Sequence, residues 1–289
     1  MASGKKNASA AGTAEKVGDV LRVGPGFRLA DVDTRATPAF DGSKADGAAA
    51  SVAGAERLSE LQERLFADAR TGGRSVLLVV QGMDTAGKGG IMRHVVGAVD
   101  PQGVRITAFK KPTPEELEHD FLWRIRQALP QPGQIGVFDR SQYEDVLIVR
   151  VHGLVPRAVW QRRYATINRF EGSVVANGCA VVKVMLHISP EEQKERLMQR
   201  LERPDKYWKY NPGDVDERER WDSYQEAYQD ALTKCSTVDA PWYVVPADRK
   251  WYARWAVQQL LLEALDAIDP QWPPATFDVE HEIGRLAAT

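Results

Sequence analysis

Three things are scarce in this 289-residue chain. It has two cysteines, Cys179 and Cys235, too few for a disulfide framework or a zinc site, which points to a reducing compartment. No apolar run approaches the length that crosses a bilayer, and the first residues lack the apolar core of a secretory leader. The expected location is therefore cytoplasmic, with no membrane partner. Excess charge is scarce as well: 38 Lys and Arg against 40 Asp and Glu leave a formal net charge of −2. That argues against a broadly basic nucleic-acid surface and confines any polyanion site to a local channel. The five histidines, His94, His119, His152, His187 and His281, show no ligand spacing, so none is assigned a metal. A chain of this length with 43% hydrophobic residues can still bury a full α/β core.

What is present is organised around residues 76–90, VLLVVQGMDTAGKGG. Residues 76–81 are mostly branched and apolar, as a strand buried on both faces requires. Gly82 opens a turn that closes with Gly87, Lys88, Gly89 and Gly90, and residues 91–96 read as a helix. Strand, glycine loop and helix form the context of a phosphate-binding loop: glycines let backbone N–H groups approach an anion, and the lysine reaches the phosphates. The pattern G-x-x-x-x-G-K-[ST] is complete except at its end, where Gly89 stands in place of the Mg²⁺-ligating hydroxyl. The loop carries a carboxylate instead, Asp84, so metal ligation is expected to have moved to acidic side chains.

Around this loop the pattern alternates strand and helix. Residues 1–16 are rich in Ala, Ser, Gly and Lys and read as a disordered tail; residues 17–50 read as an extended arm laid over the domain. A helix over about 51–70 completes an N-terminal region of 17–70. Strands are expected at 76–81, 104–109, 135–138, 180–188 and 242–245. Helices are expected at 113–129, 142–151, 156–177, 189–202, 214–235 and 250–268. The expectation is one doubly wound, three-layer α/β domain over 71–270 with a parallel sheet of about five strands, followed by a tail at 271–289.

Asp139 ends the third predicted strand, the place of the Mg²⁺-binding aspartate that accompanies phosphate loops, and carboxyl ends of parallel strands gather ligands. Asp84 and Asp139 are thus the candidate metal pair, and Arg140 a candidate for gripping phosphate, or else a partner for Asp139 or Glu144. Arg196, Arg200 and Arg203 recur at i, i+4 and i+7 and lead into Lys206 and Lys209. That stripe reads either as phosphate-holding cations of a lid over about 196–220 or as a solvated face paired with Glu192 and Glu195. Tyr207, Trp208 and Tyr210 are interleaved with the lysines, so that an aromatic there can cap a base. Trp221, Tyr224 and Tyr228, at helical spacing, read as core packing in preference to base-stacking. Lys110, at a strand end, either touches phosphate or is solvated.

Taken together, GMDTAGKGG, FDRSQYEDVLIVRVH, ERPDKYWKY with the following WDSYQEAY, and APWYVVPADRK resemble the polyphosphate kinase 2 family over about 21–268. The resemblance implies a thymidylate-kinase-like P-loop core with a helical lid. It also implies Mg²⁺-dependent transfer of phosphate between inorganic polyphosphate and adenine or guanine nucleotides. It makes Asp84 and Asp139 the acidic pair, Lys88, Arg93 and Arg140 phosphate holders, and residues 196–209 the source of lid cations. A homo-oligomer, dimer or tetramer, is implied too. Glu144 is similar to a subgroup that accepts nucleoside monophosphates as well as diphosphates, whereas Gln142 departs from the pattern. The rival readings are a nucleoside monophosphate kinase using ATP as donor and a non-enzymatic nucleotide-binding module.

Overall fold

Five segments, β1 (Ser75–Gly82), β2 (Val104–Ala108), β3 (Ile135–Asp139), β4 (Cys179–His187) and β5 (Trp242–Pro246), form one parallel sheet in the order β2-β3-β1-β4-β5. The structure, a computed structural model, describes residues 15–289 apart from Thr71; the expected disorder of the tail falls mostly on residues 1–14, outside the described residues. β1 lies at the centre and is buried along its whole length, as its unbroken Val/Leu run requires. Its alternate side chains serve two cores. Val76, Leu78 and Val80 pack with one helical layer, and Leu77 and Val79 with the other.

In chain order the helices are α1 (Val17–Leu21), α2 (Lys44–Ala67), α3 (Lys88–His94), α4 (Pro114–Leu117), α5 (Trp123–Ala128) and α6 (Ile148–Val151). They continue with α7 (Arg157–Ala176), α8 (Pro190–Leu201), α9 (Gly213–Glu219), α10 (Trp221–Cys235), α11 (Lys250–Ile268) and α12 (Val279–Ala287). Helices α1, α2, α3 and α11 cover the face of Val76, Leu78 and Val80; α5, α7 and α10 cover the other. The result is the three-layer α/β fold with five parallel strands that the alternating pattern calls for. Among the described residues, no helix is long and apolar enough to cross a membrane.

Several element boundaries differ from the sequence reading. The arm is not simply extended: it contains α1 and a 3₁₀ turn at Leu29–Asp31. It is tied down at Val23, whose N–H reaches Trp242 O at 2.8 Å, and at Thr34, whose hydroxyl donates to Asp248 at 2.8 Å. Helix α2 begins seven residues earlier than expected, at Lys44, because Ser43 and Asp46 form a capping box. The helix expected over 113–129 is two helices, broken where Asp120 accepts from the N–H groups of Leu122 and Trp123. The helix expected over 142–151 is a 3₁₀ turn, Gln142–Asp145, followed by α6. The one expected over 214–235 breaks at Arg220 into α9 and α10. The C-terminal tail contains α12, capped by Asp278.

Candidate active site

β3, β1 and β4 are neighbours in the sheet, and their carboxyl ends bring Asp139, the 82–90 loop and the entry to α8 into one crevice. Gly82 passes so close to β4 that a Cβ there would lie 2.7 Å from Leu186 O. Gly87 adopts φ 115° as it caps α3, a conformation that favours glycine. Two non-glycine residues in the crevice also have left-handed backbones, Thr85 and Arg140, each with φ 66°. Such conformations cost free energy and persist where the surroundings hold them. Lys88 Nζ donates to Gly82 O at 2.8 Å and Met83 O at 3.3 Å, so the lysine lies along the loop it serves. Burial lowers its pKa, and the Asp84 carboxylate works against that shift.

Arg140 follows Asp139 directly, and its left-handed turn swings its guanidinium to Asp84, Nη2 to Oδ1 at 3.3 Å. Its pairing partner is therefore Asp84, on the loop itself. Burial pulls the Arg140 pKa down, but the carboxylates of Glu144, Asp84 and Asp139 together outweigh it and raise the value. Burial also raises the Glu144 pKa, against the pull of Arg140 and Lys88. Asp84 and Asp139 line one cavity beside Lys88. Paired carboxylate oxygens are hard ligands of the kind Mg²⁺ takes from a protein when phosphates supply further oxygens, so the pair fits that ion. Among the described residues no group of three or more metal-ligating side chains is found.

Two cavities flank the loop and share Asp84. The larger, about 500 Å³, is lined by Lys88, Arg93, Arg196, Arg200, Arg203, Lys206, Lys209, Lys250 and Arg254, against only Asp84 and Asp139 as carboxylates, with no Phe, Tyr or Trp. The smaller, about 260 Å³, has one cation, Arg140, and is lined by Glu144, Asp214, Glu217, Asn211, Tyr224 and Tyr228. Gly87, Gly89 and Gly90 border the first and Gly82 the second.

The arginine stripe of α8 is not uniform. Arg196 is 5% exposed, and its guanidinium donates to Glu192, Thr85 O, Ala247 O and Asp248 O at 2.7 to 3.1 Å. It is a buried clamp on the loop, neither a solvated residue nor a mobile lid cation. Arg200 donates to Lys209 O at 2.8 Å and pairs with Asp214 at 3.3 Å; Arg203 and Lys206 both pair with Asp205. An incoming anion thus competes with Asp205 and Asp214 for these side chains.

The structure brings Asp84, Lys88, Arg93, Asp139, Arg196, Arg200, Arg203, Lys206 and Lys209 to one cavity and Arg140 and Glu144 to its neighbour. Lys110 is exposed and lines neither. Tyr207 and Trp208 are likewise exposed and line neither cavity, contrary to the reading that makes them base caps. Tyr224 and Tyr228, read as packing in preference to base-stacking, are buried yet border the smaller cavity. Sequence reasoning missed Lys250, Arg254, Asn211, Asp214 and Glu217 as cavity residues, since nothing local marks them. The helical spacing of Tyr224 and Tyr228 was the one available signal, and it is equally the signature of core packing.

The family model for polyphosphate kinase 2 matches residues 41–273. The chain is 45% identical over 247 residues to an AMP/ADP-polyphosphate phosphotransferase of Meiothermus ruber, covering 86% of this chain and 91% of that one. It is 44% identical over 233 residues to an ADP-polyphosphate phosphotransferase of Rhodopseudomonas palustris, covering 76% and 80%. The crystal structure of polyphosphate kinase 2 from Arthrobacter aurescens TC1 superposes with a TM-score of 0.94 at 56% identity, over 98% of this chain and all of that one. With its glycine loop and strand-end aspartate set in one crevice, and with these matches over most of its length, the chain belongs to the polyphosphate kinase 2 family.

Proposed function

We propose that this enzyme moves a phosphoryl group between inorganic polyphosphate and a nucleotide, with AMP or ADP as acceptor, and that it uses Mg²⁺ held by Asp84 and Asp139. The observation that carries the reading is the contrast between two cavities that meet at Asp84. A side dense in lysine and arginine and without Phe, Tyr or Trp suits a polyanion without a base. A side with one arginine, hydrogen-bonding carboxylates and two tyrosines suits a ribose and a base with few phosphates. In the forward direction the terminal P–O–P bond of the polyphosphate breaks, and a new P–O bond forms to the terminal phosphate oxygen of the nucleotide. That oxygen is already ionised near neutral pH, so the protein need supply no general base. Lys88 and Arg140 hold the reacting phosphates in line and neutralise charge. The metal, when bound, contributes further neutralisation of the charge on the transferred group.

The allocation of substrates is tested by KM. Replacing Arg254 or Lys250 by Ala should raise KM for polyphosphate and leave KM for nucleotide nearly unchanged, and Tyr228→Ala should do the reverse. Effects on the same substrate from both sides would overturn the allocation. Glu144 borders the nucleotide side next to Arg140, so we assign it to acceptance of AMP. Glu144→Asn should depress kcat/KM for AMP more than for ADP, and an unchanged ratio would remove that role. Use of guanine nucleotides, a homo-oligomeric assembly and a cytoplasmic location belong to the same proposal, the last supported by two free, buried cysteines.

A further inference from the structure

Helix α8 reaches the phosphate loop through a residue that belongs neither to the loop motif nor to the lid cations. Gln193, in the first turn of α8, is 1% exposed and borders the smaller cavity. Its Nε2 donates to Asp84 O at 3.1 Å, while its Oε1 accepts from Arg218 Nη1 of α9 at 3.0 Å. Arg218 Nη1 also donates to Pro190 O at 2.6 Å, which seats α9 on the start of α8. The orientation of the amide follows from its partners: a backbone carbonyl only accepts and a guanidinium only donates, so each end of the amide has one possible neighbour. One residue further along, Thr85 O is held by Arg196 Nη1 at 2.9 Å. Two successive carbonyls, at the point where the loop enters the left-handed conformation of Thr85, are thus gripped from α8.

We propose that Gln193 is a positioning residue that couples the lid to the phosphate loop. With α9 seated, Arg218 orients the amide, and the amide fixes the main chain of Asp84. The Asp84 carboxylate is thereby kept beside Arg140 and in the cavity it shares with Asp139. Displacing α9 frees the Gln193 amide and loosens Asp84, so turnover depends on the seating of the lid. This rests on the reading of Asp84 as part of the phosphoryl-transfer site.

Five variants of the full chain test it: Gln193→Met, which removes both hydrogen bonds at similar volume; Gln193→Glu, which keeps the acceptor for Arg218 but loses the donor to Asp84 O; Arg218→Met; Arg218→Lys; and the Gln193→Met/Arg218→Met double variant. Steady-state rates with polyphosphate and ADP at saturating Mg²⁺ are read beside thermal melts. The expected result is a fall in kcat of about tenfold for either Gln193 variant, with KM for both substrates within about twofold, as for groups that orient a reacting side chain. Arg218→Met should lower kcat less, and the double variant should be no slower than Gln193→Met alone, because Arg218 acts through the amide. Arg218→Lys, which retains a donor, should recover part of the loss. Independent, multiplicative losses in the double variant would overturn the coupling. So would wild-type kcat in Gln193→Glu, or losses of rate that follow the melting temperature and vanish on cooling. Failure of the underlying reading looks different: Asp84→Asn would then turn over like the wild type, whatever the Gln193 variants do.

Discussion

Asp84 meets three demands at once: it borders both cavities, pairs with Arg140, and has its main chain held by Gln193. Gly89 cannot offer a metal-ligating hydroxyl, so the proposed function assigns the charge that would organise Mg²⁺ to Asp84 and Asp139. Asp84→Asn and Asp139→Asn should each lower kcat by on the order of 10²-fold or more, measured at saturating Mg²⁺. Near-wild-type turnover would remove the assignment. These two residues were legible in the sequence because the loop motif and a strand end mark them locally. Glu217 and Tyr228 were not, since only packing of α9 and α10 across the strand ends brings them to the crevice. A second consequence at this scale concerns His187, 7% exposed at the end of β4. Burial lowers its pKa from 6.5 to about 4, with Asp248 partly opposing the shift. Between those values the folded imidazole binds fewer protons than the unfolded one, so its contribution to stability is intact above pH 6.5 and is lost as pH falls towards 4. The slope it adds is at most about 1.4 kcal/mol per pH unit. Urea unfolding at pH 7 and pH 4.5 should show a smaller loss of stability in His187→Gln than in the wild type; equal losses would contradict this.

At the scale of elements, α8 divides into a fixed root and a working tip. Spacing alone makes Arg196, Arg200 and Arg203 equivalent, yet the first is buried among carbonyls and the others are paired with Asp214 and Asp205. Arg196→Ala should therefore destabilise the fold by about 3 kcal/mol, since it leaves Glu192 and three carbonyls without their donor. Arg203→Ala and Arg200→Ala should leave the melting temperature within about 2 °C and lower turnover. Thermal melts beside steady-state rates separate the two classes, and equal melting of all three variants would refute the division. Sequence periodicity specified the stripe but not its depth, because depth depends on where the 247–248 turn packs. Local chemistry explains some of the misplaced boundaries. The Ser43–Asp46 capping box was readable and sets the start of α2, whereas the breaks at Asp120 and Arg220 answer to turns that periodicity does not register.

At the scale of the whole molecule, the alternation of strands and helices determined the class and the number of layers. The strand order β2-β3-β1-β4-β5 came only with the structure, and it is what sets Asp139 directly beside the loop. Because β1 and β4 also adjoin, α8 leaves the sheet next to the loop, and the segment that follows it, residues 203–217, borders both cavities. The chain thus presents a cationic side and a tyrosine-bearing side to one shared carboxylate, Asp84, which on the proposed function seats polyphosphate and nucleotide on either side of the transfer. The most direct test is product analysis after mixing the purified protein with Mg²⁺ and polyphosphate and, in separate reactions, AMP or ADP, with no second nucleotide present. The account predicts ADP from AMP and ATP from ADP under those conditions. Phosphorylation that requires added ATP as donor, or no product from either acceptor while nucleotide remains bound, would contradict it.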